Sequence, residues 1–251
     1  MTRKAGNKCI VKRYFCIMMK VEIWSDVSCP FCYIGKRELE HALERFPAKE
    51  EVEVVWRSFE LDPNAPVRNE RDTFGMLAKK YGRTREQAKD MVRGVVDRAR
   101  TVGLHYDMER VVIANSFDAH RLIQLAKTKG LGDAAEERLF KAHFEEGAHI
   151  GDHDTLIRLG SEIGLDNAEV DRMLVDGTFA TEVRQDEQMA QHYGIRGVPF
   201  FVFDNKYAVS GAQSSEHFLG ALQQAWSERP TPVVLEGDGP ACVPGENCDP
   251  V

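Results

Sequence analysis

Apolar and polar positions alternate in two regimes along this chain. Near each end, short runs are rich in β-branched and aromatic residues, and between them apolar residues recur at helical spacing. Val21-Glu22-Ile23-Trp24-Ser25-Asp26 predicts a strand. Leu39, Ala42, Leu43 and Phe46 then repeat at three- and four-residue steps with Lys36, Arg37, Glu40 and Glu44 opposite, so residues 33–46 predict an amphipathic helix. Residues 52–59, Val-Glu-Val-Val-Trp-Arg-Ser-Phe, predict a second strand. Strand, helix and strand in this order make a parallel unit with a right-handed crossover.

After the turn-rich Asp62-Pro63-Asn64-Ala65-Pro66, the pattern to about Tyr193 is helical only. Thr84-Arg85-Glu86-Gln87 is a capping box, and Met91, Val92, Val95, Val96 and Ala99 form an apolar stripe behind it. Further helices are predicted over 118–127, 134–144, 154–163, 168–174 and 181–192, with Gly130, Gly164 and Gly177 as stops. β-character resumes at Phe200-Phe201-Val202-Phe203, turns at Asp204-Asn205-Lys206 and pairs back through Tyr207-Ala208-Val209-Ser210. Ser214 or Ser215 caps a last helix that buries Phe218, Leu219, Leu222 and Trp226.

Length and charge narrow the classes. The 251 residues can bury one substantial core or two smaller ones. A net charge of -7 argues against nucleic acid as the main partner, because phosphate contacts call for a basic face. No apolar run approaches the roughly 18 residues that span a bilayer, so a membrane partner is not expected. Residues 1–18 hold a broken apolar patch interrupted by Lys12 and Arg13, which makes a poor signal peptide. They are expected to be a disordered extension, or sequence upstream of a start at Met18 or Met19. Cytoplasmic localisation follows from that expectation, and a reducing compartment favours catalytic over structural cysteine pairs. Residues 229–251 are rich in Pro, Gly and acid and read as a loose tail.

The chemistry gathers at Ser28-Cys29-Pro30-Phe31-Cys32, a CxxC between a strand and a helix. Unpaired N–H groups and the aligned peptide dipoles make a helix start favourable for a thiolate. Ser28 is the expected cap, and Pro30 suits the first turn because its missing N–H is not needed there. Cys29 is the expected attacking thiol, with its sulfur open to solvent. Cys32, one turn further in, is placed to resolve a mixed disulfide on Cys29. The competing reading, a zinc half-site, lacks a second CxxC or an HxxxH pair. His143, His149, Asp152, His153 and Asp154 are better read as a helix cap, a core histidine and scattered surface groups than as ligands, and no metal is expected. Cys242 and Cys248 flank a Pro244-Gly245 turn and form a candidate accessory dithiol, with unused tail cysteines as the alternative. At Val198-Pro199 the proline either opens an edge strand or forms a cis bond whose exposed Val198 backbone pairs with substrate beside Cys29.

Three stretches carry a resemblance: Trp24 to Cys32, Ala114-Asn115-Ser116-Phe117-Asp118-Ala119-His120-Arg121, and Gly194 to Val202. Together with the layout, over about Lys20 to Trp226, they resemble a DsbA-like thioredoxin-fold protein and, within that group, the FrnE-like oxidoreductases. The resemblance implies an α/β thioredoxin fold in which a large all-α insertion, 63–193, separates a βαβ half from a ββα half, the two together spanning 19–62 and 194–228. It implies thiol-disulfide exchange with protein thiols and disulfides, oxidoreductase or isomerase in kind. Cys29 is then the nucleophile, Cys32 the resolving thiol and Pro199 a cis-proline, with Pro30, Phe31 and Val198 meeting the substrate. The insertion is expected to cap the site. No tightly bound cofactor is expected, and glutathione or a thioredoxin-type reductant is the expected recycling partner. DsbA proper has a histidine where this chain has Phe31, so a less oxidising site is expected. Kappa-class glutathione transferases and 2-hydroxychromene-2-carboxylate isomerases share the fold family and supply the alternative reading. They usually carry serine where this chain has Cys29. His120 reads as a core histidine, with a place at the cleft border as the alternative.

Overall fold

A computed structural model describes residues 18–67 and 72–229. Cys9, Cys16, Cys242 and Cys248, and the readings of the N-terminal extension and the tail, lie outside the described residues.

The first strand, β1 (Met19–Ser25), runs straight into α1 (Pro30–Arg45), and a short 3-10 turn leads to β2 (Val52–Ser58). Seven helices follow: α2 (Thr73–Tyr81), α3 (Arg85–Thr101), α4 (Phe117–Thr128), α5 (Gly132–Phe144), α6 (His153–Glu162), α7 (Asn167–Asp176) and α8 (Ala180–His192). The chain ends its described part with β3 (Phe200–Phe203), β4 (Tyr207–Ser210) and α9 (Ser215–Ser227). The sheet order is β2-β1-β3-β4, with β1 parallel to β2 and antiparallel to β3. Ile23 sits at the centre of this register, opposite Trp56 on one side and Phe201 on the other.

Strand alternation sends side chains to two different layers. Val21, Ile23, Phe201 and Phe203 join the main core with Leu39 and Ala42 of α1 and Phe218 and Leu222 of α9. That core continues without a break into Leu122, Phe140 and Leu159 of the helical segment. Trp24 and Val202 form a second cluster with Ala190 and Ile195 at the end of α8. The predicted capping box is present, with Thr84 accepting from the Gln87 N–H and Gln87 from the Thr84 N–H. Asp204 and Asn205 both take left-handed backbone (φ 50° and 55°), which fits a tight turn between twisted strands.

Four sequence expectations are corrected. The helix α2 was not foreseen: it is short, contains Gly75 and buries only Thr73 and Phe74, so its apolar spacing is weak. On α3 the burial falls on Ala88, Val92 and Ala99, while Met91 is exposed. Lys36, assigned by periodicity to the solvent face of α1, is buried because α5 packs over it. Asp133 lies 3.2 Å and Glu137 3.4 Å from its Nζ, with Glu40 beside them. In α9 Phe218 and Leu222 are buried with Ala225, whereas Leu219 and Trp226 are only half-buried.

One buried carboxylate ties the layers. Asp186 of α8 pairs with Arg57 of β2 at 2.9 Å, and its second oxygen accepts from the Ser58 N–H at 3.1 Å and the Gln124 amide at 2.7 Å. Its carbonyl accepts the Trp24 indole N–H at 2.9 Å. Asp186→Ala takes an acceptor from the buried Ser58 N–H and Gln124 amide and one of two carboxylates from the half-buried Arg57, so we expect a loss of about 1–3 kcal/mol in urea unfolding. A loss under about 1 kcal/mol would make the ion pair incidental.

Candidate active site

The redox turn is built by the passage from β1 into α1. Cys29, not Ser28, is the N-cap: its backbone is extended (φ -93°, ψ 112°), and Pro30 occupies the first helical turn. Ser28 precedes the cap: its N–H donates to Asp26 Oδ1 at 2.9 Å, which closes a turn ahead of the helix. The Cys29 N–H donates to the Asp26 carbonyl (2.9 Å) and the Cys32 N–H to the Cys29 carbonyl (3.0 Å). Both cysteines are free thiols, and both are buried. Cys29 was expected in the open; it is 4% exposed and sits at the wall of a cleft instead. Burial and the neighbouring Cys29 push the Cys32 thiol well above the ordinary range.

Val198-Pro199 comes to the same place from the far end of the chain. The peptide bond is cis, and the Val198 carbonyl lies 3.6 Å from Cys29 Sγ. Pro199 is buried, and its carbonyl accepts the Gly211 N–H at 2.8 Å, which seats the loop on the hairpin. Pro30, Phe31 and Val198 border the same cleft as Cys29, and the Phe31 ring is 44% exposed at its mouth.

The cleft measures about 1150 Å³ and its far walls come from the helical segment. Met76, Met91, Met108, Val111 and Ile113 supply an apolar, pliable lining, and the exposed Lys79 and Lys80 add positive charge. Tyr106, from the stretch before α4, donates its hydroxyl to the Pro30 carbonyl at 2.7 Å. Its ring stacks on Tyr33 and Phe144 with centroids 6.1 Å and 4.7 Å away, so the helical segment grips the first turn of α1 directly.

Behind the turn lies a buried polar group that the sequence reading did not assemble. Asp26 is fully buried, accepts N–H bonds from Ser28 and Leu61, and has His120 Nε2 3.7 Å from Oδ1. Burial by itself disfavours the charge, yet His120 and the two N–H donors hold the Asp26 carboxyl below the usual range. The same pairing overcomes burial at His120 and raises its imidazole. Neither ring nitrogen of His120 has a hydrogen-bond partner, so the contact with Asp26 is one of charge. Glu136 of α5 is buried nearby and is pushed up to about 8 by burial, against the opposing charge of His120. A lone acidic residue at the end of a predicted strand carries no sign of burial, and His120 alone fits a core residue.

Gly35 was also passed over. A Cβ there would stand 3.1 Å from Phe201 Cζ and 3.1 Å from Pro199 Cγ, so its absence lets α1 approach the cis-proline loop. A glycine inside an amphipathic helix was the available signal. Of the residues once weighed as metal ligands, Asp152 caps α6 through the Thr155 N–H, His153 pairs with Asp118, and His143 is buried beside Phe144. Among the described residues no group of three or more His, Cys, Asp or Glu side chains is arranged to hold a metal.

A four-stranded sheet with a CxxC at the start of its first helix and a cis-proline facing it defines a thioredoxin-type redox fold. Residues 20–223 match the DsbA-like thioredoxin domain, and the chain belongs to that family. It is 43% identical to a probable DsbA oxidoreductase from Streptomyces coelicolor, covering 90% of this chain and 97% of that one with a TM-score of 0.81. The Bacillus subtilis protein YwbO, itself uncharacterised, is 28% identical over 204 residues, 80% of this chain and 94% of its own length. A cytosolic disulfide reductase, DsbM of Pseudomonas aeruginosa, shares the fold at 17% identity and a TM-score of 0.54, covering 83% of this chain and 95% of that one.

Two substitutions probe this geometry. Gly35→Ala should cost about 1–3 kcal/mol in urea unfolding because helix and loop must separate. Gly94→Ala on α3 is the control: a Cβ there meets nothing within 4 Å, so the gain in helix propensity should leave the protein unchanged or slightly more stable. Glu136→Gln probes the buried acid. Its folded form holds the proton up to about 8, whereas the unfolded carboxyl ionises near 4.5. The unfolded state therefore binds fewer protons across that window, and stability falls as pH rises through it. The glutamine variant should melt progressively above the wild type between pH 5 and pH 8. Parallel melting curves would mean that Glu136 is not protonated in the folded protein.

Proposed function

We propose that the protein is a thiol-disulfide oxidoreductase acting on protein substrates, with Cys29 as nucleophile and Cys32 as resolving thiol. The observation that carries this reading is the position of Cys29. It caps α1 at the wall of an apolar cleft, with the Val198 carbonyl 3.6 Å from its sulfur. In reduction, the Cys29 thiolate attacks one sulfur of a substrate disulfide, and the other substrate sulfur leaves as a thiolate and takes a proton. Cys32, once deprotonated, attacks the Cys29 sulfur and expels the second substrate thiol, leaving a Cys29-Cys32 disulfide. Substrate gains two electrons and the enzyme loses two; oxidation or isomerisation of substrate runs the same steps in other orders.

Pro30 and Phe31 flank the thiol, Val198 offers its main chain to an extended segment and the cis Pro199 holds it beside Cys29, so contact with the substrate is the role assigned to this group. The methionine-rich walls suit apolar side chains of varied shape, which favours polypeptide substrates over a small polar thiol. Recycling by glutathione or a thioredoxin-type reductant in the cytoplasm belongs to the same reading. DsbM, the cytosolic disulfide reductase of like fold, has a solved structure with GSH. A FrnE-like place within the family is part of the proposal, and so is a relay role for Cys242 and Cys248.

The test is covalent. Cys32→Ser should trap a mixed disulfide between Cys29 and a reduced, cysteine-containing polypeptide after mild oxidation, and Cys29→Ser should trap none. The Cys29-Cys32 pair should equilibrate with a glutathione buffer. A potential near the roughly -270 mV of thioredoxin indicates a reductase, and one nearer the roughly -120 mV of DsbA an oxidase. If no Cys29-Cys32 disulfide forms at any poise, the glutathione-dependent transferase or isomerase reading takes its place.

A further inference from the structure

The buried group behind the redox turn has no part in the exchange steps above, yet its connections lead to Cys29. Asp26 serves as a clasp with several ends. Oδ1 accepts the Ser28 N–H at 2.9 Å, Oδ2 accepts the Leu61 N–H at 2.7 Å, and the Asp26 carbonyl accepts the Cys29 N–H at 2.9 Å. The carboxylate therefore ties the residue before Cys29 to the segment leaving β2. Both oxygens must accept. A neutral amide in the same place would turn an N–H₂ group toward one of the two donors.

A carboxylate at this depth also projects negative charge toward a thiolate three residues away on the same cleft wall. Left alone, it would oppose ionisation of Cys29. The compensating charge comes from another element: His120 of α4, fully buried, with Nε2 3.7 Å from Asp26 Oδ1. At 3.7 Å the contact is longer than an ordinary hydrogen bond, and what the imidazole brings to this place is chiefly charge. The other groups facing it are acids, Glu60 after β2 and Glu136 of α5. Glu60 has its own cation in Arg184 of α8, within 2.5 Å. Asp26 is faced on the α5 side by His143, whose imidazole burial holds neutral by pulling it down to about 4. His120 is thus the cation within reach of Asp26 among the described residues.

We propose that Asp26 and His120 are positioning residues of the redox centre: Asp26 holds the Cys29 turn, and the His120 imidazolium cancels the Asp26 charge so that the Cys29 thiolate can form. The inference rests on Cys29 being the reactive thiol. Losing the imidazolium leaves an uncompensated carboxylate beside the thiol, which lowers the thiolate population. Removing the carboxylate as well removes the repulsion. Two variants therefore have opposite effects, a pattern that disruption of packing does not give.

The experiment is the rate of Cys29 alkylation by iodoacetamide in the reduced full-length chain, followed from pH 5 to pH 9 with Cys32 replaced by serine throughout. His120→Gln should slow alkylation at pH 7 by about five- to tenfold, the equivalent of nearly one pH unit in thiolate population. Adding Asp26→Asn to His120→Gln should recover only part of the lost rate, because the amide removes the repulsion yet turns an N–H₂ group toward one of the two N–H donors. Equal rates for the His120→Gln variant and its parent, or a double variant slower than the single one, would overturn the proposal.

A second measurement needs no charge variant and stands even where one fails to fold. Coupling is reciprocal, so a thiolate on Cys29 must favour the His120 imidazolium as much as the imidazolium favours the thiolate. The His120 ring, followed by NMR, should titrate at higher pH in the dithiol protein than in the disulfide form, and identical midpoints refute the coupling. These outcomes are separable from the fate of the exchange reaction. If Cys29 and Cys32 cycle normally while His120→Gln alkylates like its parent, only the charge pairing is lost. If the cysteines never cycle but the alkylation pattern holds, the pairing stands and serves a single-thiol site.

Discussion

A carboxylate cannot remain ionised in the interior without hydrogen-bond donors and a counter-charge, and the centre of this protein is arranged around meeting that demand at Asp26. The donors come from two places, the turn entering α1 and the segment leaving β2. The counter-charge comes from α4, which belongs to the helical segment. Three parts of the chain that are far apart in sequence must therefore be in register before the residue ahead of Cys29 is fixed. The parallel pairing of β1 with β2 brings Ser25 and Ser58 side by side, and the Phe59 N–H extends it to the Ser25 carbonyl at 3.0 Å, setting Leu61 where Asp26 needs it.

The helical segment is consequently more than a cover. Tyr106 reaches the Pro30 carbonyl, α5 supplies acids to the buried Lys36 of α1, and α4 supplies His120. The main core is continuous from the sheet into α4, α5 and α6. A thioredoxin-type half without this segment would lose the lining of the cleft and also the groups that hold the CxxC turn from behind. One of these contacts, the Tyr106 hydroxyl on the Pro30 carbonyl, ends on a main-chain atom, whose position does not depend on a rotamer.

Local chemistry was legible in the sequence wherever a feature is confined to a few neighbouring residues. The order of strands and helices followed from β-rich runs and three- and four-residue spacing, the Thr84 capping box from its four-residue signature, and the hairpin from its Asp204-Asn205 turn. The location of the CxxC was equally plain. What escaped was set by contacts between distant segments. Lys36 lies on the polar side of its own helix and is buried only because α5 arrives there. Asp26 ends a predicted strand and Asp186 falls within the predicted helix 181–192, and nothing in either pattern marks them as the buried hubs they are. Ser28 reads as the natural cap, but its N–H is tied back to Asp26 in a turn that leaves Cys29 at the helix start.

Those misses share a physical cause that also bears on redox chemistry. Periodicity reports how a helix or strand partitions between core and water, and it treats every charged residue as facing water. Exchange chemistry at a buried thiol needs the opposite, charges placed inside, because the field of a group screened by water is weak at the sulfur. The residues that tune such a centre are thus the ones that periodicity assigns to the wrong side. Among the buried acids and bases of the described residues, Asp26 follows β1, while Lys36, His120 and Asp186 lie on α1, α4 and α8. Each meets an opposite charge on another element, Asp26 with His120, Lys36 with Asp133 and Asp186 with Arg57, so charges here are paired across elements rather than along them.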